Sequence, residues 1–371
     1  MAGQILERTQ RVQLGAETLA APGTEVTPTH QMDSLGFTLK ADIETEETTS
    51  SGNWPATLQT TGQDSSSGKF DMPALNYNEL PVILASTMVG DDGTGTPIAP
   101  VAAGAAGAQD WDYYMDPSNP NPGQTYSLEY GSDVRGQKTT GVIFASHSMN
   151  VTPKKASASG GWLGGQLRDT SDGLTPAFTA IQTGLPRLTG AKTPIEAKTF
   201  CVYMSTTSRD DLNATPGDFS ATNTARRLNV ALDYTWTLNG RRENMFAIRC
   251  DLNGAPVVTV EGMELSAGSI EHEANDQIMA LFQQIRGVGG TRRVWFRLEA
   301  NGPVIGAGPE AYRFYVDKAV YLRAPEELKV NGKVIAVRWP LVYALDENFG
   351  GAGIAGFLAS HVRNVQTALL A

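Results

Sequence analysis

Only two cysteines, Cys201 and Cys250, occur among 371 residues. Two thiols cannot build a disulfide framework or a cysteine-based zinc site. Free cysteine is one of the most buried residue types, so two reduced, buried thiols are expected. Long apolar runs are missing too: no stretch approaches the roughly 18 residues that a membrane-spanning helix needs, and no membrane partner is expected. The opening Met1-Ala-Gly-Gln-Ile-Leu-Glu-Arg lacks a basic-then-apolar leader pattern, which makes a reducing cytosol the default site of folding. On that footing the sequons Asn150-Val151-Thr152 and Asn213-Ala214-Thr215 are expected to stay unmodified.

Positive charge is scarce where it would matter most. Residues 1–190 hold 10 Lys/Arg against 20 Asp/Glu, and residues 191–371 hold 19 of each, so the whole net charge of −10 sits in the first half. With no basic cluster, the chain has no footprint for gripping phosphates. Letting nucleic acid pass alongside without binding it remains open. Catalytic groups are equally sparse. The four histidines are His30, His147, His272 and His361. In Ser146-His147-Ser148 on a strand, neighbouring Ser and His side chains point to opposite faces, so neither serine is activated. Glu271-His272-Glu273 with Asp276 reads as acids at a helix start rather than as metal ligands. Glu44 and Glu46 share a strand face, a spacing a glycosidase could use, but such pairs usually form a solvated face. No enzymatic constellation, metal site or cofactor site is expected.

What the chain does have is period-two alternation. Phe37, Leu39, Ala41 and Ile43 interleave with Lys40, Asp42, Glu44 and Glu46; Leu228 to Leu238 interleave with Asn229, Asp233, Thr235 and Thr237. Tyr126–Tyr130, Val294–Leu298, Tyr312–Val316 and Ile335–Leu341 repeat the pattern in β-branched and aromatic residues. Two segments read as helices: 78–88, entered through Asn76-Tyr-Asn-Glu79, and 270–286, capped by Ser269 and striped by Ala274, Ile278, Leu281, Phe282 and Ile285. Each half thus runs from a long alternating strand to a short helix and on to further strands. The expectation is a mainly β chain of two tandem β-sandwich or partial-barrel domains, 1–195 and 196–371, each with one flanking α-helix. Thr48–Ser51, Asp64–Gly68 and the 90–109 stretch read as loops.

Several segments resemble the tail tube (major tail) proteins of phages with long non-contractile tails, the siphophages. They are Gln13-Leu-Gly-Ala-Glu17-Thr-Leu-Ala-Ala-Pro-Gly23-Thr, Ser67-Gly68-Lys-Phe-Asp-Met-Pro-Ala-Leu-Asn-Tyr-Asn-Glu79-Leu-Pro, Gln124–Gly131 and Trp162–Leu167. Trp236-Thr-Leu, Phe296–Gly306 and Ala336–Leu341 continue the likeness in the second half.

The resemblance implies a structural virion protein, residing in the tail and assembling in the host cytoplasm. Its rings would stack into a tube for DNA ejection, and a fused two-domain chain would form a trimer with pseudo-sixfold symmetry. It implies a tape measure protein and double-stranded DNA in the lumen, held without specific binding, with tail terminator and distal tail proteins at the ends. Lys40, Asp42, Glu44 and Glu46, with Asn229, Asp233, Thr235 and Thr237, are the lumen-facing candidates. A hairpin loop 47–69 would touch the stacked ring through Ser51, Asn53, Trp54, Gln59 and Gln63, and 90–120 would be a variable loop. The alternative is a β-sandwich binding module, a receptor- or glycan-binding tail component or another part of that fold. Trp111, Tyr113 and Tyr114 would then stack on sugars.

Overall fold

The structure is a computed structural model. It describes residues 10–370 except 19–20, 34, 49–57, 89–99, 105–106, 116–122, 134, 170–180, 189–192, 217, 229–230, 240–241, 247–255, 261–263, 274–275, 277–279, 281–292, 324–328, 332–333 and 350–354. In the first half, β1 (Arg11–Ala16), β2 (His30–Met32), β3 (Gly36–Phe37), β4 (Lys40–Thr48) and β5 (Leu58–Met72) precede helix α1 (Leu80–Thr87). After it come β6 (Val101–Ala103), β7 (Ala108–Tyr114), β8 (Tyr126–Gly131), β9 (Gly136–Phe144), β10 (Ser146–Val151), β11 (Ala156–Gly164) and β12 (Arg168–Asp169). The second half opens with β13 (Phe200–Ser205), the small hairpin β14 (Asn213–Thr215) and β15 (Asp218–Thr222), and β16 (Ala231–Asn239). Next are β17 (Arg242–Phe246), β18 (Pro256–Val260), β19 (Glu264–Glu273) and β20 (Arg293–Val304). The chain ends with β21 (Ala311–Leu322), β22 (Lys329–Asn331), β23 (Val334–Tyr343) and β24 (Leu358–Asn364).

Every ladder between these strands is antiparallel. An inner sheet runs β4–β5–β11–β10–β16–β19–β23–β22. Outside it lie β2–β1–β8–β9–β12 and β6–β7–β24–β21–β20–β13. The mainly β expectation holds, but the two tandem sandwiches do not. β10 pairs with β16 from Ser146↔Asn239 to Val151↔Tyr234, which makes strands of both halves one sheet. β7 pairs with β24 from Gln109↔Asn364 to Tyr114↔Ala359, so a first-half strand completes the second-half outer sheet. Twenty strands are joined in a single connected sheet system. Backbone donors at a strand edge need partners, and here the other half of the chain supplies them.

α1 is the one complete α-helix among the described residues. All eight of its residues are buried, as an all-round apolar helix requires. Pro81 sits in its first turn, where a missing N–H costs nothing. Glu79 precedes the helix but does not cap it; its Oε1 accepts from the Asp33 N–H at 2.6 Å, pinning the β2–β3 connection. The helix expected over 270–286 does not begin at Ser269. Ser269–Glu273 is the end of β19, laddered to β23 from Ser269↔Pro340 to Glu273↔Ala336. Ladder pairing there overrides the capping signal; beyond Glu273 only Asp276 and Ala280 of the stretch are described, and both are helical.

Two expected loops are also strand. Asp64–Gly68 lies inside β5, paired with β4 and β11, and the 90–120 stretch contains β6 and β7. Asp and Gly are poor strand formers alone, and the Asp64–Gly68 run has no β-branched or aromatic residue, but two laddered neighbours supply the pairing that propensity does not.

Candidate functional site

The inner sheet has two unlike faces. On one, Phe70, Met72, Met149, Val151, Ala156, Ala158, Trp162, Tyr234, Trp236, Ile270, Val337 and Trp339 are all buried in the main apolar core. Their strand neighbours point the other way. Two rows of that second face cross the seam between β10 and β16. Ser157, Asn150, Thr235, Ser269 and Pro340 are successive ladder partners. So are Asp71, Ser159, Ser148, Thr237 and Ser266.

Hydrogen bonds join several side chains on this face. Thr235 Oγ1 and Ser269 Oγ share a hydrogen bond of 3.1 Å, and Arg338 Nε donates to Ser269 Oγ at 3.1 Å. Ser146 Oγ accepts from the Gly161 N–H at 2.8 Å. A shallow concavity of about 620 Å³ opens where Gly68, Gly160 and Gly161 leave the surface low, rimmed by Thr38, Lys69 and Asp71. Several charges on the face are offset by neighbours. Lys40 pairs with Asp42, which also accepts from Ser67, and Glu271 faces Arg338 across the β19–β23 ladder. The Lys40 and Ser67 bonds hold the Asp42 carboxyl below its usual range.

Lys40, Asp42 and Thr235 therefore lie on this face, brought together with a serine-rich centre that sequence reading missed. Nothing in the sequence singles out Ser157 or Ser159, Ser67 falls in an expected loop, and Ser146 and Ser148 stand beside His147 without being activated by it. The period-two alternation of small polar residues through Ser146–Val151 was the available signal. Glu44, Glu46, Asp233 and Thr237 occupy positions in β4 and β16, with side chains outside the described residues; Asn229 lies wholly outside them. On this face Lys40 offsets the charge of Asp42. Of the expected inter-ring residues, Ser51, Asn53 and Trp54 fall outside the described residues. Gln59 and Gln63 are backbone positions of β5, whose pairing with β4 slips by one residue between Ile43 and Thr45.

The second concentration of charge is buried beneath residues 205–227. Asp317 accepts from Arg297 Nε at 2.7 Å and from Arg209 Nε at 2.9 Å, and Arg297 also donates to Asn213 Oδ1 at 2.9 Å. Arg313 donates to Glu299 at 2.6 Å and to the Phe219 carbonyl at 2.7 Å. Burial alone would raise the Asp317 pKa, but the two guanidiniums outweigh it and hold it low. These bonds tie the β14–β15 excursion onto the outer sheet.

The proposed sugar-stacking aromatics are committed elsewhere. Trp111 is fully buried with Nε1 donating to Asn364 Oδ1 at 3.0 Å, and the buried Tyr113 hydroxyl donates to the Pro81 carbonyl at 3.1 Å. Tyr114 lies under Arg209. Among the described residues no group of three or more His, Cys, Asp or Glu side chains is placed to hold a metal ion, and no helix is long and apolar enough to cross a membrane. No protein-family profile matches the chain, and no curated protein is significantly similar to it in sequence.

Proposed function

We propose that the chain is the structural subunit of the tail tube of a phage with a long non-contractile tail, self-assembling into stacked rings that conduct double-stranded DNA. One observation carries this reading. Eight strands form a continuous sheet whose core face is apolar and buried except at Ile335, while its other face carries small hydroxyls and offset charges. DNA presents a negative charge about every 1.7 Å, so a wall rich in unpaired cations would hold it. Hydroxyl rows with matched charges neither grip nor strongly repel a passing phosphate backbone. Tape measure, terminator and distal tail proteins are the partners this role entails. The glycan-binding alternative loses its carriers, since Trp111 and Tyr113 are core residues.

Negative-stain electron microscopy of the purified protein tests the proposal. Hollow rings or tubes are expected, and particles that stay monomeric at high concentration would overturn it. Native mass measurement of dissociated rings should give three chains per ring; six would reject the trimer.

A further inference from the structure

The halves of the inner sheet share a register that sequence comparison does not show. The Thr38 carbonyl oxygen lies 1.9 Å from where a Cβ on Gly68 would stand; the Thr235 carbonyl oxygen lies 2.0 Å from a Cβ on Gly268. Only glycine tolerates either approach. One residue beyond each glycine, Lys69 sits opposite Gly161 and Ser269 opposite Pro340. The next strand also corresponds. In the hairpin β10–β11 Val151 sits opposite Ala156, and in the hairpin β22–β23 Val330 sits opposite Ile335, with equal spacing; one pair further on, backbone bonds join Thr152 to Lys155 and Asn331 pairs with Val334. β4 with its lead-in β3 thus corresponds to β16, β5 to β19, β11 to β23, and β10 to β22.

In one place the two halves differ. β10 is covered by β16, with Val151↔Tyr234 and Asn150↔Thr235 as partners, and Val151 and Ala156 are 7% and 5% exposed. Among the described residues, β22 pairs only with β23, and β3 and β4 pair only with β5. Ile335, the counterpart of Ala156, is 54% exposed although its face-mates Val337 and Trp339 are buried. An apolar core position left bare beside a short edge strand marks an incomplete sheet.

We infer that the β10–β16 seam is the template for the contact between copies: β22 of one chain pairs antiparallel with β3–β4 of a second copy. Carrying the internal register across places Val330 opposite Phe37 of the next copy and Lys329 opposite its Thr38. The contact is heterologous, using different edges on its two sides, so rotation repeats it until the sheet closes. Ile335 then gains the cover that Ala156 already has. This inference rests on the self-assembly reading above and adds its edges and register.

The test is disulfide trapping in a full-length chain with both native cysteines changed to serine. Directly paired strand positions lie within disulfide reach. K329C/T38C should give covalent oligomers on oxidation, ending in a closed ring. K329C and T38C single variants should give covalent dimers when mixed and none when separate. N150C/T235C, on the internal seam, should cross-link within one chain without changing its mass. Rings visible by microscopy with no K329C/T38C cross-link, or with trapping only for K329C/K40C, would overturn the register while leaving self-assembly standing. A chain that never forms rings would overturn both.

Discussion

His147 on β10 packs against Trp236 on β16 with 5.1 Å between ring centroids, joining the two halves of the molecule through their aromatic core. Phe70 also stacks on it, with 6.4 Å between ring centroids, and neither ring nitrogen has a hydrogen-bond partner. A core histidine placed this way is held neutral, and burial lowers its pKa from 6.5 to about 4.

The sign of the pH effect follows from linkage. Above pH 6.5 the imidazole is neutral in folded and unfolded chains alike. Below it the unfolded chain takes up the proton first, so stability falls until the folded pKa near 4 is reached. The full loss is on the order of 3 kcal/mol. Urea unfolding at pH 7 and pH 4.5 should show wild type losing more stability than His147→Phe; equal losses would refute the assignment.

Asp317→Asn should cost about 3–5 kcal/mol, because it leaves the guanidiniums of Arg297 and Arg209 buried without their shared carboxylate. Denaturant midpoints measure it. A change below about 1 kcal/mol would show that the network contributes little to stability.

Gly268→Ala is expected to destabilise by more than about 1 kcal/mol, since φ is +75° and the new Cβ would meet the Thr235 carbonyl. Gly23→Ala is the control: φ is +81° there, but nothing lies within 4 Å of the added Cβ. Thermal unfolding should rank Gly268→Ala well below Gly23→Ala; similar midpoints would deny the close approach.

Replacing residues 49–57 with Asn-Gly leaves a two-residue turn between Thr48 and Leu58 and keeps the β4–β5 ladder in place. Rings that form but do not stack are expected by microscopy, and tubes of normal length would rule out an inter-ring role for this segment. A longer deletion to residue 66 would also remove Ser66, whose Oγ donates to the Gly165 carbonyl at 2.7 Å, and should lose the fold.

Much of the β content was legible in advance because alternation is a local property. Leu228 to Leu238 announces one apolar and one polar face whatever lies beside it, and β16 appears there with Tyr234 and Trp236 buried. Asp64–Gly68 was illegible for the opposite reason: its residues favour turns, and only β4 and β11 on either side hold it in a strand. Ser269–Glu273 carries both a capping signal and strand pairing, and contacts with Arg338 and Val337, distant in sequence, decided between them.

Side-chain order along the chain was therefore enough to say that this is a β protein with a core face and a polar face, short of cations in its first half. It could not say which strands adjoin. A strand's alternation is the same beside any neighbour, so the β10–β16 seam, the β7–β24 pairing and the meeting of Asn150 with Thr235 exist only in the folded chain. There, backbone groups from distant segments satisfy one another, and in doing so they turn two similar halves into a single sheet.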